Sequence, residues 1–226
     1  MSLTKIIRVK IQFILSLSLV AFLLASCESN SSKKSDVNET NVEPKKNLVD
    51  DYPPMTDDGF VNAVIEIPAG TVEKWEVDKA SGDLELEHMD GKPRIINYLG
   101  YPANYGMIPR TYLPKELGGD GDPLDVLILG RPLERGSAVA CKIIGVLVLL
   151  DRGEQDDKLI AVQKGSKLSH INDIETLKSE YKGITEIIEM WFSNYKGPNK
   201  MVSKGFANRE QAMEILNTSI SAYNKK

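Results

Sequence analysis

The pattern of apolar and polar positions from residue 60 to residue 163 predicts a β-rich segment. Short apolar runs recur there between groups of glycine, proline and acidic residues, which is typical of strands joined by turns. Between two of the runs, Asp78–Asp83 has the turn residues of a hairpin. The predicted strands are Val61–Ile67, Val72–Val77, Leu84–Met89, Leu124–Leu129, Ala138–Leu150 and Leu159–Val162.

The apolar positions take on the period of a helix in the last third of the chain. One helical stripe ends at Gly197 and Pro198, and Asn208 with Gln211 has the spacing of a capping box that begins a second helix. The two stripes are Ile184, Ile187, Ile188, Trp191, Phe192 and Tyr195, and then Ala212, Ile215, Leu216, Ser219, Ile220 and Tyr223. Many strands followed by two helices predict an α+β fold, with the sheet curled into a barrel and both helices packed outside it.

The first 26 residues have the layout of a secretory signal. Three cationic residues precede an apolar segment, Ile11–Leu24, which is too short to cross a bilayer comfortably. The segment ends in Leu24-Ala25-Ser26-Cys27, which resembles a bacterial lipobox with Cys27 as the lipidated residue. Residues 1–26 are therefore predicted to be a lipoprotein signal peptide. An uncleaved anchor and a chance cysteine after an apolar run are the alternatives.

The composition of the chain after the signal predicts a tether followed by a folded domain. Residues 27–58 are rich in Ser, Asn, Lys and Asp and are predicted to be a flexible tether, whereas residues 59–226 are long enough to form a domain with a core. Such a chain would lie in the cell envelope, on the periplasmic or outer-membrane side, and would contact the membrane only through the lipid on Cys27. If the signal is not used, the chain would be cytoplasmic. The net charge of −4 gives no indication of a nucleic-acid partner.

Three carboxylates lie within six positions of the loop Asp120-Gly121-Asp122-Pro123-Leu124-Asp125. They repel one another unless a cation lies among them, and residues 116–130 contain no Lys or Arg. Because Gly121 and Pro123 interrupt a regular strand, a bent loop can aim all three carboxylates inward. Their hard oxygens suit Mg²⁺ or Mn²⁺, whereas zinc would call for His or Cys ligands nearby. The alternative is an ordinary Asp-Gly surface turn.

Other residues with useful chemistry flank this loop. A second acidic turn, Asp151–Lys158, follows a predicted strand, and the two acidic turns would meet at one mouth of a barrel if their strands were neighbours. Lys74 and Glu76 alternate onto one face of a strand, which is either a solvated surface or part of a site. Three tyrosines interleaved with Gly and Pro in residues 98–105 are typical of an irregular pocket wall.

The loop Asp120–Asp125 resembles the D-G-D-P-x-D signature of the family I soluble inorganic pyrophosphatases. The resemblance extends from about Ala63 to the C-terminal helices, and thus over nearly all of the predicted domain. It implies a closed five-stranded OB-like barrel with additional strands. It also implies hydrolysis of pyrophosphate with several Mg²⁺ ions per site, or with Mn²⁺ or another divalent ion. Bacterial members are usually hexamers, which implies a homo-oligomer.

The same resemblance implies a role for each matching residue. Asp122 corresponds to the carboxylate that accepts a proton from the attacking water. The residues implied to hold metal ions are Asp120, Asp125, Asp151, Asp156, Glu66 and Glu76. The residues implied to hold phosphate oxygens are Lys74, Arg94, Tyr105, Lys158, Tyr195 and Lys196, with Tyr101 as a supporting hydroxyl.

The chain departs from the family pattern in ways that keep other functions open. The spacing from Arg94 to Tyr101 is one residue shorter than in typical members, and Arg152 and Asp157 occupy positions that vary in the family. The signal and tether are additions to what is typically a cytoplasmic enzyme. The two alternatives are a lipid-anchored module that binds metal and phosphate without turnover, and a hydrolase of another phosphoanhydride such as a short polyphosphate or a nucleotide.

Overall fold

The structure, a computed structural model, describes residues 45–117 and 119–226. A 3₁₀ helix at Lys115–Leu117 precedes the acidic loop. The helices are α1 (Ile174–Glu180), α2 (Ile184–Asn194) and α3 (Arg209–Tyr223). The strands are β1 (Val61–Ile67), β2 (Trp75–Val77), β3 (Leu84–Leu86), β4 (His88–Met89), β5 (Lys92–Pro93), β6 (Asn104–Met107), β7 (Asp125–Leu129), β8 (Ala138–Asp151), β9 (Glu154–Gln155), β10 (Lys158–Gln163) and β11 (Met201–Ala207).

The main sheet is mixed, and five of its strands pair in a ring in the order β1, β6, β7, β10, β8 and back to β1. β7 and β10 are parallel, while the other pairs in the ring are antiparallel. β8 has 14 residues, so that its first residues pair with β1, its middle with β10 and its last residues with β9 and β11. The predicted α+β class is confirmed as this mixed sheet with three helices.

Both faces of the ring are buried, which explains why its strands have continuous apolar runs. Along β7, Leu127 and Leu129 join a cluster with α1 and α2, whereas Val126 and Ile128 join a second cluster with Ala212 and Leu216 of α3. This alternation is the ordinary consequence of a strand's two-residue period. The ring is therefore packed on both faces, and the segments that begin and end its strands are held in place.

The C-terminal region contains the two predicted helices and two further elements, α1 and β11. α2 and α3 confirm the two predicted helices, and the Asn208 side chain accepts a hydrogen bond from the backbone N–H of Gln211 at 3.0 Å. α1 was not predicted because it has only seven residues, and β11 was not predicted because glycine and polar residues interrupt it. Ile187, which lies on the predicted apolar stripe of α2, is 62% exposed.

The tether predicted for residues 27–58 is wrong for its last part, because residues 45–58 pack on the domain. Val49 is 8% exposed and lies in a cluster with Val64, Val77 and Met107. The Leu48 N–H donates to the carbonyl oxygen of Gly82 at 2.9 Å. A short apolar group in a polar segment is enough to anchor it. The predicted signal peptide, Cys27 and the tether up to residue 44 lie outside the described residues.

The described helices are all too short or too polar to cross a lipid bilayer. This finding concerns residues 45–117 and 119–226 alone.

The packing of Val49 predicts the cost of shortening its side chain. Val49→Ala is expected to lower the free energy of unfolding by about 1 to 3 kcal/mol, because it removes buried methyl groups. The matched control is Val202→Ala, at a strand position that is 46% exposed, where we expect less than about 0.5 kcal/mol. Urea unfolding measures both variants. Equally small effects would show that residues 45–58 do not belong to the folded unit.

Candidate active site

The parallel pairing of β7 and β10 builds the acidic part of the site. Leu159 pairs with Val126, so the residues that precede them, Lys158 and Asp125, begin the two strands side by side. The loop before β7 and the turn before β10 therefore meet at one edge of the ring. Together they line a small cavity of about 30 Å³, whose carboxylates are Asp120, Asp122, Asp125, Asp156 and Asp157.

Lys158 places a buried cation between two of these carboxylates. Its Nζ donates to Asp125 Oδ2 and to Asp156 Oδ1, each at 2.5 Å, and the residue is 2% exposed. Burial alone would lower the pKa of Lys158, but the two carboxylates outweigh burial and raise it, so the ammonium stays charged. The repulsion expected among the carboxylates is thus offset by a lysine of the second acidic turn.

Burial and mutual repulsion act on the carboxylates themselves. The pKa of Asp156 is raised by burial and by the neighbouring Asp125, against the opposing charge of Lys158. The pKa of Asp120 is raised by burial and by the charges of Asp122 and Asp125. Both groups would be stabilised by additional positive charge at this edge.

Asp122 differs from its neighbours because its carboxylate is accessible. The side chain is 40% exposed and accepts a hydrogen bond from Lys79, on the turn between β2 and β3. Its backbone N–H donates to Asp120 Oδ1 at 2.9 Å, which fixes the loop conformation. Lys79 could not be predicted from the sequence, because it lies 43 positions from Asp122 and a turn lysine carries no signal of its own.

Asp151 lies at the end of β8 and pairs with a cation from the helical region. Its Oδ2 accepts from Lys196 Nζ at 2.7 Å, just after the end of α2. Its Oδ1 is buried and has no hydrogen-bond partner in the described part of the chain. An unpartnered buried carboxylate oxygen is costly, and it is the kind of group that a cation would satisfy.

β1 and the segment around β2 contribute a second group of buried charges. Glu66 is 5% exposed and accepts a hydrogen bond from the Val77 N–H at 2.8 Å. Burial raises the pKa of Glu66 to about 8, although the charge of Lys74 opposes this. Lys74, 7% exposed, pairs with Glu76 and lies 5.2 Å from the centre of the Tyr105 ring. Lys74 is therefore buried, whereas the Glu76 side chain is 49% exposed.

The tyrosines form an aromatic wall against α2. The rings of Trp191 and Tyr195 stack at 4.5 Å, and Tyr101 lies 4.6 Å from Trp191 and 5.3 Å from Tyr105. The Trp191 Nε1–H donates to the carbonyl oxygen of Leu99 at 2.9 Å and ties the loop to the helix. Burial raises the pKa of all three tyrosines. Their hydroxyls therefore remain neutral hydrogen-bond donors.

Arg94 lies in a different cavity from the acidic loop. Its Nη1 donates to both carboxylate oxygens of Glu87 at 2.7 Å, a partner that sequence analysis missed. With Tyr195 and Lys196 it lines a larger cavity of about 680 Å³. The structure thus divides most of the predicted residues among the acidic cavity, the group of Glu66, Lys74 and Glu76, and the larger cavity beside Arg94.

The donor set fits hard divalent cations. All candidate ligands are carboxylates, and Asp151 carries an unpartnered buried oxygen. Among residues 45–117 and 119–226, no three Asp, Glu, His or Cys side chains are already grouped around one point as ligands. Asp125, Asp151 and Asp156 instead contact lysines. Ion binding would therefore require these lysine contacts to rearrange.

Comparisons with known proteins identify the family of the chain. The family model described as inorganic pyrophosphatase matches residues 63–224. The chain belongs to the inorganic pyrophosphatase family. Its relatives include the inorganic pyrophosphatase of Campylobacter jejuni, 36% identical over 167 residues that cover 72% of this chain and 91% of the relative. That of Helicobacter pylori strain 26695 is 38% identical and covers 71% and 89%.

Solved structures of inorganic pyrophosphatases have the same fold. One from Helicobacter pylori has a TM-score of 0.65 at 35% identity and covers 77% of this chain and 99% of its own. One from Schistosoma japonicum has a TM-score of 0.73 at 28% identity and covers 78% and 70%. The part of this pyrophosphatase-family chain that matches the family model contains every candidate residue from Glu66 to Lys196.

The raised pKa of Glu66 predicts a pH dependence of stability in the metal-free pyrophosphatase domain. Between about pH 4.5 and pH 8 the folded state keeps a proton on Glu66 that the unfolded state releases. Because the folded state then binds more protons, stability falls as the pH rises through this window. Glu66→Gln cannot ionise and is expected to flatten the decline.

Thermal melts with EDTA at several pH values measure this slope. Glu214→Gln is the matched control, since Glu214 is exposed and its replacement should leave the decline as in the parent chain. Parallel curves for Glu66→Gln and the parent would contradict the assigned pKa.

Proposed function

We propose that this chain hydrolyses inorganic pyrophosphate to two phosphates and uses divalent ions, Mg²⁺ first, as its cofactor. The observation that carries the proposal is the convergence of Asp125 and Asp156, from two strand ends, on the buried ammonium of Lys158. Membership of the inorganic pyrophosphatase family supports the same reaction. A metal- and phosphate-binding module without turnover is the alternative.

The acidic residues divide into those that would hold ions and one that would accept a proton. We assign ion binding to Asp120, Asp125, Asp151 and Asp156, and also to Glu66 and Glu76 in the group around Lys74. When bound, divalent ions supply charge that offsets the phosphate oxygens and lower the pKa of a bound water toward about 7.

Asp122 is the general base in this proposal. Its carboxylate is more exposed than those of Asp125 and Asp156, so that a water molecule can reach it. The backbone hydrogen bond to Asp120 holds the loop while Lys79 contacts the carboxylate from the neighbouring turn. The proton of the attacking water passes to an Asp122 oxygen, which requires an approach of about 2.6 to 3.2 Å.

The cations and tyrosines would receive the substrate's phosphate groups. Lys74, Lys158 and Lys196 offer point charges, while Arg94 can grip two oxygens at once. The hydroxyls of Tyr105 and Tyr195, with Tyr101 behind them, donate as neutral groups because burial raises their pKa. These groups would stabilise the leaving phosphate as its charge grows.

Replacing Asp122 and Asp125 separates the two acidic roles. Asp122→Asn keeps the shape and removes the base, so kcat is expected to fall by about 10²- to 10⁴-fold. The rise in melting temperature on adding Mg²⁺ should persist. Asp125→Ala removes a ligand, and both the Mg²⁺-induced stabilisation and the Mg²⁺ dependence of activity should shift to at least roughly tenfold higher concentration.

Phosphate release from pyrophosphate and Mg²⁺-titrated thermal melts measure the two effects. Glu214→Gln serves as a control that changes an exposed carboxylate outside the site. Identical Mg²⁺ titration curves for Asp122→Asn and Asp125→Ala would refute the division of roles. A folded parent chain that binds Mg²⁺ without releasing phosphate would favour the non-catalytic module.

We also propose the finer architecture and assembly that the family resemblance implies. The ring of paired strands supports a closed five-stranded OB-like barrel. A homo-oligomer, hexameric by resemblance, is supported by apolar side chains on the outer surface: Leu99 is 73%, Ile187 62% and Met190 65% exposed. Light scattering of the purified chain tests the assembly.

The lipobox-like sequence supports anchoring of the enzyme to the cell envelope through Cys27. In a bacterial host, the parent chain is expected in the membrane fraction, and Cys27→Ala should move it out of that fraction because the lipid acceptor is lost. Cys141→Ala, which removes a buried thiol, is the matched control and should stay with the membrane. Equal fractionation of the parent and Cys27→Ala would show that no lipid is attached there.

A further inference from the structure

The charged residues that line the cavity of about 680 Å³ beside Arg94 and Lys196 are all positive. Its lining contains four cationic residues, Arg94, Arg152, Lys196 and Lys200, and no carboxylate. The side-chain amides of Asn97 and Asn194 add hydrogen-bond donors. We call this the cationic cavity. Its volume is within the range of about 300 to 1,000 Å³ that is usual for small-molecule sites, and its composition suits an anion.

The fold holds the outer cations of the cationic cavity near one another. Arg152 lies in the tight turn after β8, in a left-handed conformation with a φ of 51°. Its N–H donates to the carbonyl oxygen of Lys200 at 2.8 Å, and the adjacent residues Asp151 and Met201 pair between β8 and β11. Both cations are therefore carried by backbone that the sheet fixes.

Only part of this positive charge is compensated. Arg94 is paired with Glu87 and Lys196 with Asp151, whereas in the described part of the chain Arg152 and Lys200 form no ion pair. The proposed hydrolysis of pyrophosphate already uses Arg94 and Lys196. Arg152 and Lys200 lie beyond them in the same cavity and have no role in that reaction.

We propose that the cationic cavity is a subsite for a third phosphoryl group joined to the pyrophosphate unit, so that the chain also acts on linear triphosphates, with inorganic tripolyphosphate as the first substrate. This inference rests on the proposed function, because the bond is broken at the same carboxylates. Arg152 and Lys200 would bind oxygens of the outermost phosphoryl group.

The reaction balances without a further reactant. The oxygen of water forms a bond to a terminal phosphorus near Asp122, which accepts the proton. The bond from that phosphorus to the bridging oxygen breaks, and its electron pair stays on the oxygen of the leaving group. The products are phosphate and pyrophosphate. Because the leaving group is now pyrophosphate, its outer phosphoryl group would lie toward Arg152 and Lys200.

The affinity for tripolyphosphate tests the subsite in a chain that does not turn the substrate over. In the full chain carrying Asp122→Asn, calorimetric titration with tripolyphosphate and with pyrophosphate in the presence of Mg²⁺ gives both affinities. Adding Arg152→Gln and Lys200→Gln is expected to weaken tripolyphosphate binding by roughly tenfold or more, because two charge-assisted contacts are lost. The ratio of tripolyphosphate to pyrophosphate affinity should fall accordingly. Lys182→Gln, at an exposed position outside the cavity, is the matched control.

The turnover arm uses the chain with Asp122 intact. Phosphate release from tripolyphosphate is expected, and Arg152→Gln with Lys200→Gln should lower kcat/KM for tripolyphosphate at least roughly tenfold more than for pyrophosphate. A parallel assay with ATP tests whether the third phosphoryl group can belong to a nucleotide as well as to an inorganic triphosphate. Turnover of both with the same sensitivity to these substitutions supports the subsite and extends it to nucleotides.

Two results would overturn the inference. The first is an affinity ratio that stays the same in the folded Arg152→Gln, Lys200→Gln chain, and the second is an absence of tripolyphosphate turnover in a chain that hydrolyses pyrophosphate. Both substituted residues are exposed, so the variant should fold, which circular dichroism checks. A chain that hydrolyses neither compound would instead refute the proposed function, and the binding titration would still test the subsite.

Discussion

The ammonium of Lys158, buried between Asp125 and Asp156, is the interaction on which the site depends. Lys158 begins β10 and Asp125 begins β7, and the parallel register of the two strands places them side by side. A shift of one residue in this pairing would turn Lys158 to the opposite face. Removing Lys158 would leave the carboxylates of Asp125 and Asp156 without the cation between them, at a cost of about 3 to 5 kcal/mol. The ion pairs of Lys158 therefore form only in this register of β7 and β10.

The rest of the fold supports that register from both faces. One cluster packs α1 and α2 on the ring, and the other packs α3 on its opposite face, so little freedom remains for β7 or β10 to slide. α2 contributes to the site as well, because Trp191 stacks on Tyr195 and bonds to the loop at Leu99. The aromatic wall thus positions Lys196 next to Asp151.

Local signals in the sequence predicted four of the five ring strands, the last two helices and the acidic loop, because each depends on residues within a few positions, whereas β6 and β11 were not predicted. The cap of α3 by Asn208 is an example. Contacts between distant segments could not be predicted in this way. The pairs Lys79 with Asp122 and Arg94 with Glu87 depend on how turns approach one another. Val49 is buried because side chains from three strands, β1, β2 and β6, pack against it. The resemblance named candidate residues for the site, but their pairing required the tertiary structure.

The Asp151–Lys196 pair links the acidic cavity to the cationic cavity. Lys196 lines the cationic cavity, and its charge also acts on the carboxylate of Asp156. Asp151 uses one oxygen for Lys196 and keeps the other buried without a partner. A cation bound at that second oxygen would compete with Lys196 for the carboxylate. Lys196 would then be freer to bind an anion in the cationic cavity, so binding of cations on one side and of phosphate on the other would favour each other.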